Sequence, residues 1–177
     1  MINAHLFSFT QKENLVNNEV SLFLQDRTSN FKPETEPQNI ENSYYREYIE
    51  GDDLSKIKSF LDDVKQTISF EFAYPHASLT GVWINRVDNT SNKNDVFHRD
   101  INKFSSVTFL NDDFEGGAFE YVDIRYQKIE QVKPSLYNTI VFEGCNIPHR
   151  VQPVSSGTRY TLVTFWGLDS KTTKTIL

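Results

Sequence analysis

Three residues of the sequence carry side chains from which a metal site could be built. His98-Arg99-Asp100 is a His-x-Asp triplet, and His149 follows much further along the chain. Two imidazoles and one carboxylate leave open positions on Fe(II) for a co-substrate and oxygen, whereas Zn²⁺ accepts the same donors. The triplet alone is weak evidence, because positions 98 and 100 of a strand share a face and a His–Asp pair there can be purely structural. The residue types thus indicate a metal site without selecting the metal.

An arginine follows the second histidine on a run typical of a strand. Residues 158–166 are β-branched and aromatic and follow a Ser-Ser-Gly turn, which predicts a strand with Arg159 and Thr161 on one face. An internal salt bridge would explain a buried arginine. Alternatively, the guanidinium binds the distal carboxylate of a dicarboxylate through two parallel hydrogen bonds, and Thr161 adds a hydroxyl donor. A hairpin turning at 154–158 would bring Arg159 close to His149.

The length and composition of the chain limit the classes of protein to which it could belong. The chain has 177 residues, 14% of them aromatic, a net charge of −6 and a pI of about 5.2, which predicts one domain with a substantial core. Its lysines and arginines are scattered, which argues against a nucleic-acid or anionic-membrane partner. The single cysteine, Cys145, excludes an internal disulfide and a CxxC module. Without a long apolar segment, we expect a soluble, cytoplasmic protein.

The hydrophobic pattern changes period partway along the chain. Residues 53–68 repeat apolar side chains at helical spacing, which predicts a helix, whereas 18–25 fits a helix or a strand. Residues 26–42 are polar with two prolines and predict a loop. The predicted strands, which alternate with turn signals, are 69–73, 77–87, 105–110, 118–124, 126–132, 139–143, 149–153 and 158–166.

This order of elements predicts a mainly β fold with a supporting α-helix, and the leading candidate is a double-stranded β-helix, the jelly-roll or cupin-like barrel. We expect a single domain over 1–177, with an N-terminal supporting region at 1–76 and a jelly-roll core at 77–167. The polar segment 89–95 precedes the His-x-Asp triplet and is either a substrate-facing lid or a solvated loop.

Between residues 82 and 167 the sequence resembles the Fe(II)/2-oxoglutarate-dependent dioxygenases, and within them the prolyl 4-hydroxylase-like branch. That family follows its HxD with a YLN-like tripeptide, a GG, an apolar-x-Pro turn, a strand ending in Phe, and H-x-V-x-P-V-x-x-G-x-R. The matching residues here are His98-Arg99-Asp100, Phe109-Leu110-Asn111, Gly116-Gly117, Val132-Lys133-Pro134, Val141-Phe142 and the run HRVQPVSSGTR at 149–159.

The resemblance implies a function and roles for five residues. His98, Asp100 and His149 would bind Fe(II), and Arg159, assisted by Thr161, would bind the distal carboxylate of 2-oxoglutarate. O₂ is the second co-substrate, and ascorbate is a further candidate cofactor. The implied reaction hydroxylates a C–H bond and releases succinate and CO₂, with a prolyl residue of a peptide as the default substrate.

Several questions stay open on the sequence alone. The alternatives are a hydroxylase of a free amino acid or other small metabolite, a non-catalytic cupin-like metal- or ligand-binding module, and a zinc hydrolase that uses the same three ligands. Val87 stands near the place where the branch carries a tyrosine that helps to hold 2-oxoglutarate. The sequence therefore does not identify the second contact to the co-substrate, nor the oligomeric state.

Overall fold

The computed structural model describes residues 9–32, 45–90 and 96–168. Its helices are α1 (Asn18–Ser29), α2 (Asp53–Lys56) and α3 (Lys58–Glu71). Its strands are β1 (Phe9–Lys12), β2 (Tyr45–Tyr48), β3 (Ala77–Asp88), β4 (Phe104–Phe109), β5 (Glu115–Gly116), β6 (Phe119–Asp123), β7 (Lys128–Val132), β8 (Thr139–Phe142), β9 (His149–Val151), β10 (Val154–Ser156) and β11 (Thr158–Leu168).

Strand β11 lies inside a six-stranded sheet of order β1-β8-β4-β11-β3-β2, in which every neighbouring pair is antiparallel. Thr161 of β11 pairs with Asn85 of β3 on one side and with Phe109 of β4 on the other. Paired residues of antiparallel strands project their side chains from the same face. The register therefore gives Thr161, Val163 and Phe165 of β11 a neighbour on both flanking strands, whereas Arg159 pairs with Val87 of β3.

A three-stranded sheet of order β7-β6-β9 faces this main sheet. The Phe119 ring of β6 lies 5.2 Å from the Phe142 ring of β8, and the Tyr121 ring lies 4.0 Å from that of Phe9. Apolar residues of both sheets form the core between them: Val107, Phe109, Phe119, Val132, Ile140, Phe142 and Ile147. A short pair, β10 with β5, forms beside the two sheets.

Helix α3 covers the outer face of the main sheet. Phe60, Val64 and Ile68 are each 0% exposed and recur at three to four residues, the spacing that aligns side chains on one helix face. They belong to one core cluster with Ile84 of β3 and Leu162 of β11. The main sheet is therefore buried on both faces, by the smaller sheet on one side and by helices on the other.

The structure corrects the predicted helix over 53–68 and the predicted strand over 69–73. The helical region is divided at Ile57, whose φ is −111°, and α3 continues to Glu71. The Phe72 amide still donates to the Ile68 carbonyl, and Ala73, at a φ of +53°, ends the segment. The run 69–73 is too short for its apolar period to distinguish a strand from the last turn of a helix.

The predicted hairpin between the strand of His149 and the strand of Arg159 is wrong. Strand β9 pairs with β6, whereas β11 pairs with β3 and β4. Between them, β10 pairs with β5 and carries the chain from the smaller sheet to the main sheet. His149 and Arg159 therefore lie on strands of different sheets.

The mainly β fold with helical support is confirmed. Residues 18–29 form α1, so the start of the predicted loop at 26–42 is helical, whereas 33–44 and the possible lid at 91–95 lie outside the described residues. Strands β1 and β2 join the main sheet, and the single-domain boundary stays a prediction. No helix in the described part of the chain is long and apolar enough to span a membrane.

Two phenylalanines of α3 provide a matched test of this packing. Phe60 is 0% exposed and Phe70 is 75% exposed. We expect Phe60→Ala to lower the free energy of unfolding by about 3–5 kcal/mol, since it removes a buried ring and leaves a cavity. Phe70→Ala should change it by less than about 0.5 kcal/mol. Urea denaturation measures both, and equal losses would show that α3 does not bury the Phe60 face.

Candidate active site

His98, Asp100 and His149 come together at one edge of the space between the two sheets. Their potential ligand atoms all lie within 4.8 Å of one another. A two-residue antiparallel bridge holds the histidines side by side: the His98 amide donates to the His149 carbonyl at 3.0 Å, and the His149 amide donates to the His98 carbonyl at 2.9 Å. Backbone pairing therefore brings together ligands that are distant in sequence.

Each imidazole is oriented by its own backbone. Nδ1 of His98 lies 3.1 Å from the Val96 carbonyl oxygen, and Nδ1 of His149 lies 2.9 Å from that of Ile147. Because a carbonyl oxygen only accepts, each Nδ1 carries the proton and each Nε2 presents a lone pair. Those Nε2 atoms lie 3.9 Å and 3.5 Å from the two carboxylate oxygens of Asp100. Two lone pairs and a carboxylate thus converge, as a divalent metal requires.

Asp100 is held in place by groups that sequence reasoning did not identify. Its amide donates to the Gly144 carbonyl at 2.9 Å, and the Ser105 hydroxyl donates to its Oδ2 at 2.5 Å. A Cβ at Gly144 would lie 2.4 Å from Ser105 Oγ and 2.7 Å from Asp100 Oδ2, so only glycine leaves room for this contact. Alternation along β4 places Ser105 on the inner face, but nothing in the sequence says that it meets Asp100.

His149 lies in an apolar environment. It is 5% exposed, and its ring centroid lies 5.5 Å from that of Phe119 and 4.7 Å from that of Phe142. Burial lowers the pKa of His149 below its usual value, although the nearby Asp100 carboxylate opposes that shift. Burial thus favours the neutral imidazole, which is the form that binds a metal.

Arg159 is buried without a counter-charge. It is 3% exposed, its Nε has no hydrogen-bond partner, and its guanidinium carbon lies 5.4 Å from the centre of the Phe109 ring. Burial alone lowers the pKa of Arg159 to about 10, so the side chain stays charged at neutral pH. Among the described residues no carboxylate forms an ion pair with it. The internal salt bridge considered from the sequence is therefore not observed there.

The Gly116-Gly117 pair makes room for this arginine. Gly117 has a φ of +64°, and a Cβ there would lie 3.0 Å from Arg159 Cδ and 2.9 Å from the Phe114 ring. A side chain at this position would therefore be strained and would also crowd the arginine. The aliphatic part of the Arg159 side chain lies over Gly117, where the absence of a Cβ leaves space for it.

The inner face of β11 connects the arginine to a residue that supports one of the candidate metal ligands. Arg159 and the buried Thr161 are the first residues of β11 on that face. Phe165 lies further along the strand on the same face and pairs with Ser105, the residue that donates to Asp100. A ligand with a carboxylate at one end and metal-binding atoms at the other has a partner for each end among these residues. The convergent lone pairs and the unpaired buried guanidinium therefore match Fe(II) and 2-oxoglutarate.

A double-stranded β-helix with this constellation defines the class of Fe(II)- and 2-oxoglutarate-dependent oxygenases. The sequence model of the 2OG-Fe(II) oxygenase superfamily matches residues 83–167, the segment that contains all five predicted site residues. Residues 83–167 are thus similar to that superfamily, and the resemblance predicted from the sequence is confirmed.

Several of the similar proteins are prolyl hydroxylases by name. The chain is 31% identical over 70 residues to prolyl 3-hydroxylase 1 of Gallus gallus, a match that covers 38% of this chain and 10% of the relative. A prolyl-4-hydroxylase of Pseudomonas putida has a TM-score of 0.70 at 14% identity, with 92% of this chain and 94% of that chain covered. The chain therefore spans only about a tenth of its curated relative.

A second similar structure contains a peptide. It is a prolyl hydroxylase from Trichoplax adhaerens in complex with a hypoxia inducible factor oxygen degradation domain peptide fragment, with a TM-score of 0.72 at 13% identity over 96% of this chain and 88% of that chain. At such identities the structural matches establish the shared fold.

The contact between Ser105 and Asp100 can be tested against its sequence neighbour. Ser105→Ala removes the hydroxyl that donates to Asp100, whereas Ser106→Ala removes an equally buried hydroxyl that bonds to Thr164. We expect Ser105→Ala to weaken Fe(II) binding by about 10-fold or more, because groups that orient a ligand carboxylate typically contribute that much. Ser106→Ala should leave it unchanged. Anaerobic titration calorimetry measures both, and equal affinities in the two variants would contradict a role for Ser105.

The buried His149 predicts a pH dependence of stability for the metal-free protein. Because its pKa is lowered in the folded chain, the unfolded chain takes up the proton first as the pH falls through about 6.5. The free energy of unfolding should therefore decrease between about pH 7.5 and 5.5, and His149→Gln should flatten that decrease. His76→Gln, at an exposed histidine, is the control. Urea denaturation at several pH values, in the presence of a chelator, measures how steeply the free energy of unfolding changes with pH. The same dependence in all three proteins would show that groups other than His149 cause it.

Proposed function

We propose that this chain is an Fe(II)- and 2-oxoglutarate-dependent dioxygenase that hydroxylates a C–H bond of a prolyl residue in a peptide and releases succinate and CO₂. The observation that carries the proposal is the buried, charged Arg159, which makes no ion pair in the described part of the chain. It lies on the same face of the main sheet as Ser105 of β4, the residue that supports Asp100. A bound dicarboxylate would provide that missing counter-charge.

The side chains have separate tasks in this reaction. Iron with 2-oxoglutarate and O₂ supplies the oxidising chemistry. His98, Asp100 and His149 would hold the iron through Nε2 and carboxylate atoms that are already oriented by backbone carbonyls and by Ser105. Arg159, assisted by Thr161, would orient the co-substrate by its distal carboxylate, and the Phe119 and Phe142 rings would exclude water from the inner side of His149.

The outer side of the metal site favours a polypeptide substrate. The His98 side chain is 57% exposed, whereas His149 is 5% exposed. Val96 and Ile101, on either side of the triplet, are 68% and 101% exposed, so an apolar rim surrounds the open edge. A prolyl side chain presented on an extended peptide could reach such an edge. The prolyl hydroxylases among the similar proteins support the same choice.

The first test is co-substrate binding. We expect the protein to bind Fe(II) and then 2-oxoglutarate under anaerobic conditions and to release succinate under air. Arg159→Ala should weaken 2-oxoglutarate binding by at least about 30-fold, because truncating one partner of a buried charge pair costs roughly 2–5 kcal/mol. The control is Arg125→Ala, which removes an arginine that is 39% exposed and pairs with Asp123. This variant should bind normally.

The outcomes separate the proposal from its alternatives. Metal binding without consumption of 2-oxoglutarate would indicate a non-catalytic cupin-like module. Activity that depends on zinc and is unaffected by Arg159→Ala would indicate a hydrolase. Undiminished binding of 2-oxoglutarate to the Arg159→Ala variant would contradict the assignment of the chain as a 2-oxoglutarate-dependent dioxygenase.

The substrate requires a separate comparison. Proline-containing peptides should stimulate succinate release and gain one oxygen atom by mass spectrometry, whereas free proline and other free amino acids should not. Turnover of a free amino acid in preference to every peptide would assign the chain to the metabolite hydroxylases instead. Dependence on ascorbate and the cytoplasmic location stay predictions, and cell fractionation tests the latter.

A further inference from the structure

Val87 leaves the second contact to the co-substrate unassigned. Its side chain is 5% exposed and pairs across the sheet with Arg159. It therefore stands beside the guanidinium, but a hydrocarbon side chain cannot donate a hydrogen bond to a carboxylate. A second donor must come from another position on the same face.

On this face of β3 and β11, three buried polar atoms have no hydrogen-bond partner: Nε1 of Trp83, Oδ1 of Asn85 and Nε of Arg159. The register places all three side chains on one face, since Trp83, Asn85 and Val87 pair with Val163, Thr161 and Arg159, and paired residues share a face. Buried polar groups are rarely left unsatisfied, and a cluster of them indicates a ligand that the fold is built to receive.

Position along the strand separates Asn85 from Trp83. Asn85 lies directly across from Thr161 and diagonally from Arg159, a separation of about 5–8 Å between backbones. Trp83 lies across from Val163, one step nearer to Phe165 and therefore to Ser105 and the metal ligands. Asn85 thus belongs to the arginine end of the face and Trp83 to the part that leads towards the metal.

Other polar side chains near this end already have partners. The Asn111 side chain donates to the Thr158 carbonyl at 2.7 Å and accepts from the Tyr160 amide at 2.8 Å. The Ser105 hydroxyl donates to Asp100. Among the described residues, the Asn85 carboxamide is therefore the available amide beside Arg159 and Thr161.

We propose that Asn85 is the second anchor of the distal carboxylate of 2-oxoglutarate, to which its side-chain NH₂ group donates while Arg159 pairs with the charge. This inference rests on the proposed function and deepens it. The terminal torsion of asparagine is broad and roughly two-fold, so the amide can turn either its oxygen or its nitrogen to the ligand at little cost. Because the contact is made to the carboxylate, the proposal also says which half of the co-substrate Asn85 recognises.

The test compares two ligands in three proteins. The ligands are 2-oxoglutarate and 2-oxopentanoate, which has the same carbon chain without the second carboxylate. Anaerobic calorimetry of the Fe(II)-loaded protein measures their dissociation constants. We expect Asn85→Leu, of similar size, to weaken 2-oxoglutarate binding by about 10-fold or more, the effect of a hydrogen bond to a charged group, and to leave 2-oxopentanoate binding unchanged. Thr80→Val is the control, since Thr80 lies on the same strand, is exposed and donates to Asn102.

The outcomes distinguish this inference from the proposed function. If the unaltered protein does not bind 2-oxoglutarate, the proposed function fails. If it does, and Asn85→Leu binds as tightly, only the role of Asn85 fails. Equal losses for both ligands would also overturn the proposal, because they would place Asn85 away from the distal carboxylate.

A second variant gives a readout that does not depend on a loss of binding alone. Asn85→Asp keeps the size of the side chain and places a carboxylate diagonally across from Arg159. We expect it to compete with the ligand for the guanidinium, so that 2-oxoglutarate binding is lost while the thermal unfolding temperature of the metal-free protein rises. Because Arg46 lies directly across from position 85 on β2 and could pair with the new carboxylate, the same change is also made together with Arg159→Ala. A fall in the temperature, or a rise that persists without Arg159, would contradict the proposal.

Discussion

The burial of one charged arginine inside an antiparallel sheet is the constraint on which the site depends. Removing a guanidinium from water is costly unless it finds a counter-charge, and this side chain cannot become neutral at physiological pH. The protein places Arg159 against the Phe109 ring and into the gap left by Gly117. The fold therefore carries an unsatisfied charge at a fixed place, and a dicarboxylate is the type of ligand that benefits most from binding there.

The candidate metal-binding edge is held together in a different way. Backbone pairing and small residues, and not a buried charge, position its side chains. The bridge between His98 and His149 fixes their separation, and carbonyl oxygens fix the ring tautomers. Ser105 connects this edge to the arginine, since it donates to Asp100 and also pairs with Phe165 of β11. One strand thus sets the distance between the two ends of the site.

Much of this could be predicted from the sequence, because motif order and alternation are local properties. The strand of Arg159, the inward position of Thr161 and the three ligand residues follow from spacing and from the family pattern. The pairing partners do not: the hairpin expected between His149 and Arg159 is replaced by strands in opposite sheets. Ser105 and Gly144 were missed for the same reason, since their roles come from contacts with Asp100 that only the folded chain creates.

The loss of a tyrosine near position 87 illustrates why a sheet face, and not a single position, is the unit that recognises a ligand. Inward-facing residues of β3 are two positions apart in sequence, and each pairs with an inward-facing residue of β11. A hydrogen-bond donor at one of these positions can therefore be replaced by a donor at the next inward-facing position. Val87 contributes only hydrocarbon beside the arginine, whereas Asn85 brings an amide with a buried oxygen to the next inward position. A motif comparison that aligns the sequence position by position detects that the tyrosine hydroxyl is missing. It cannot find the residue that replaces it, because that residue is identified by strand pairing across the sheet.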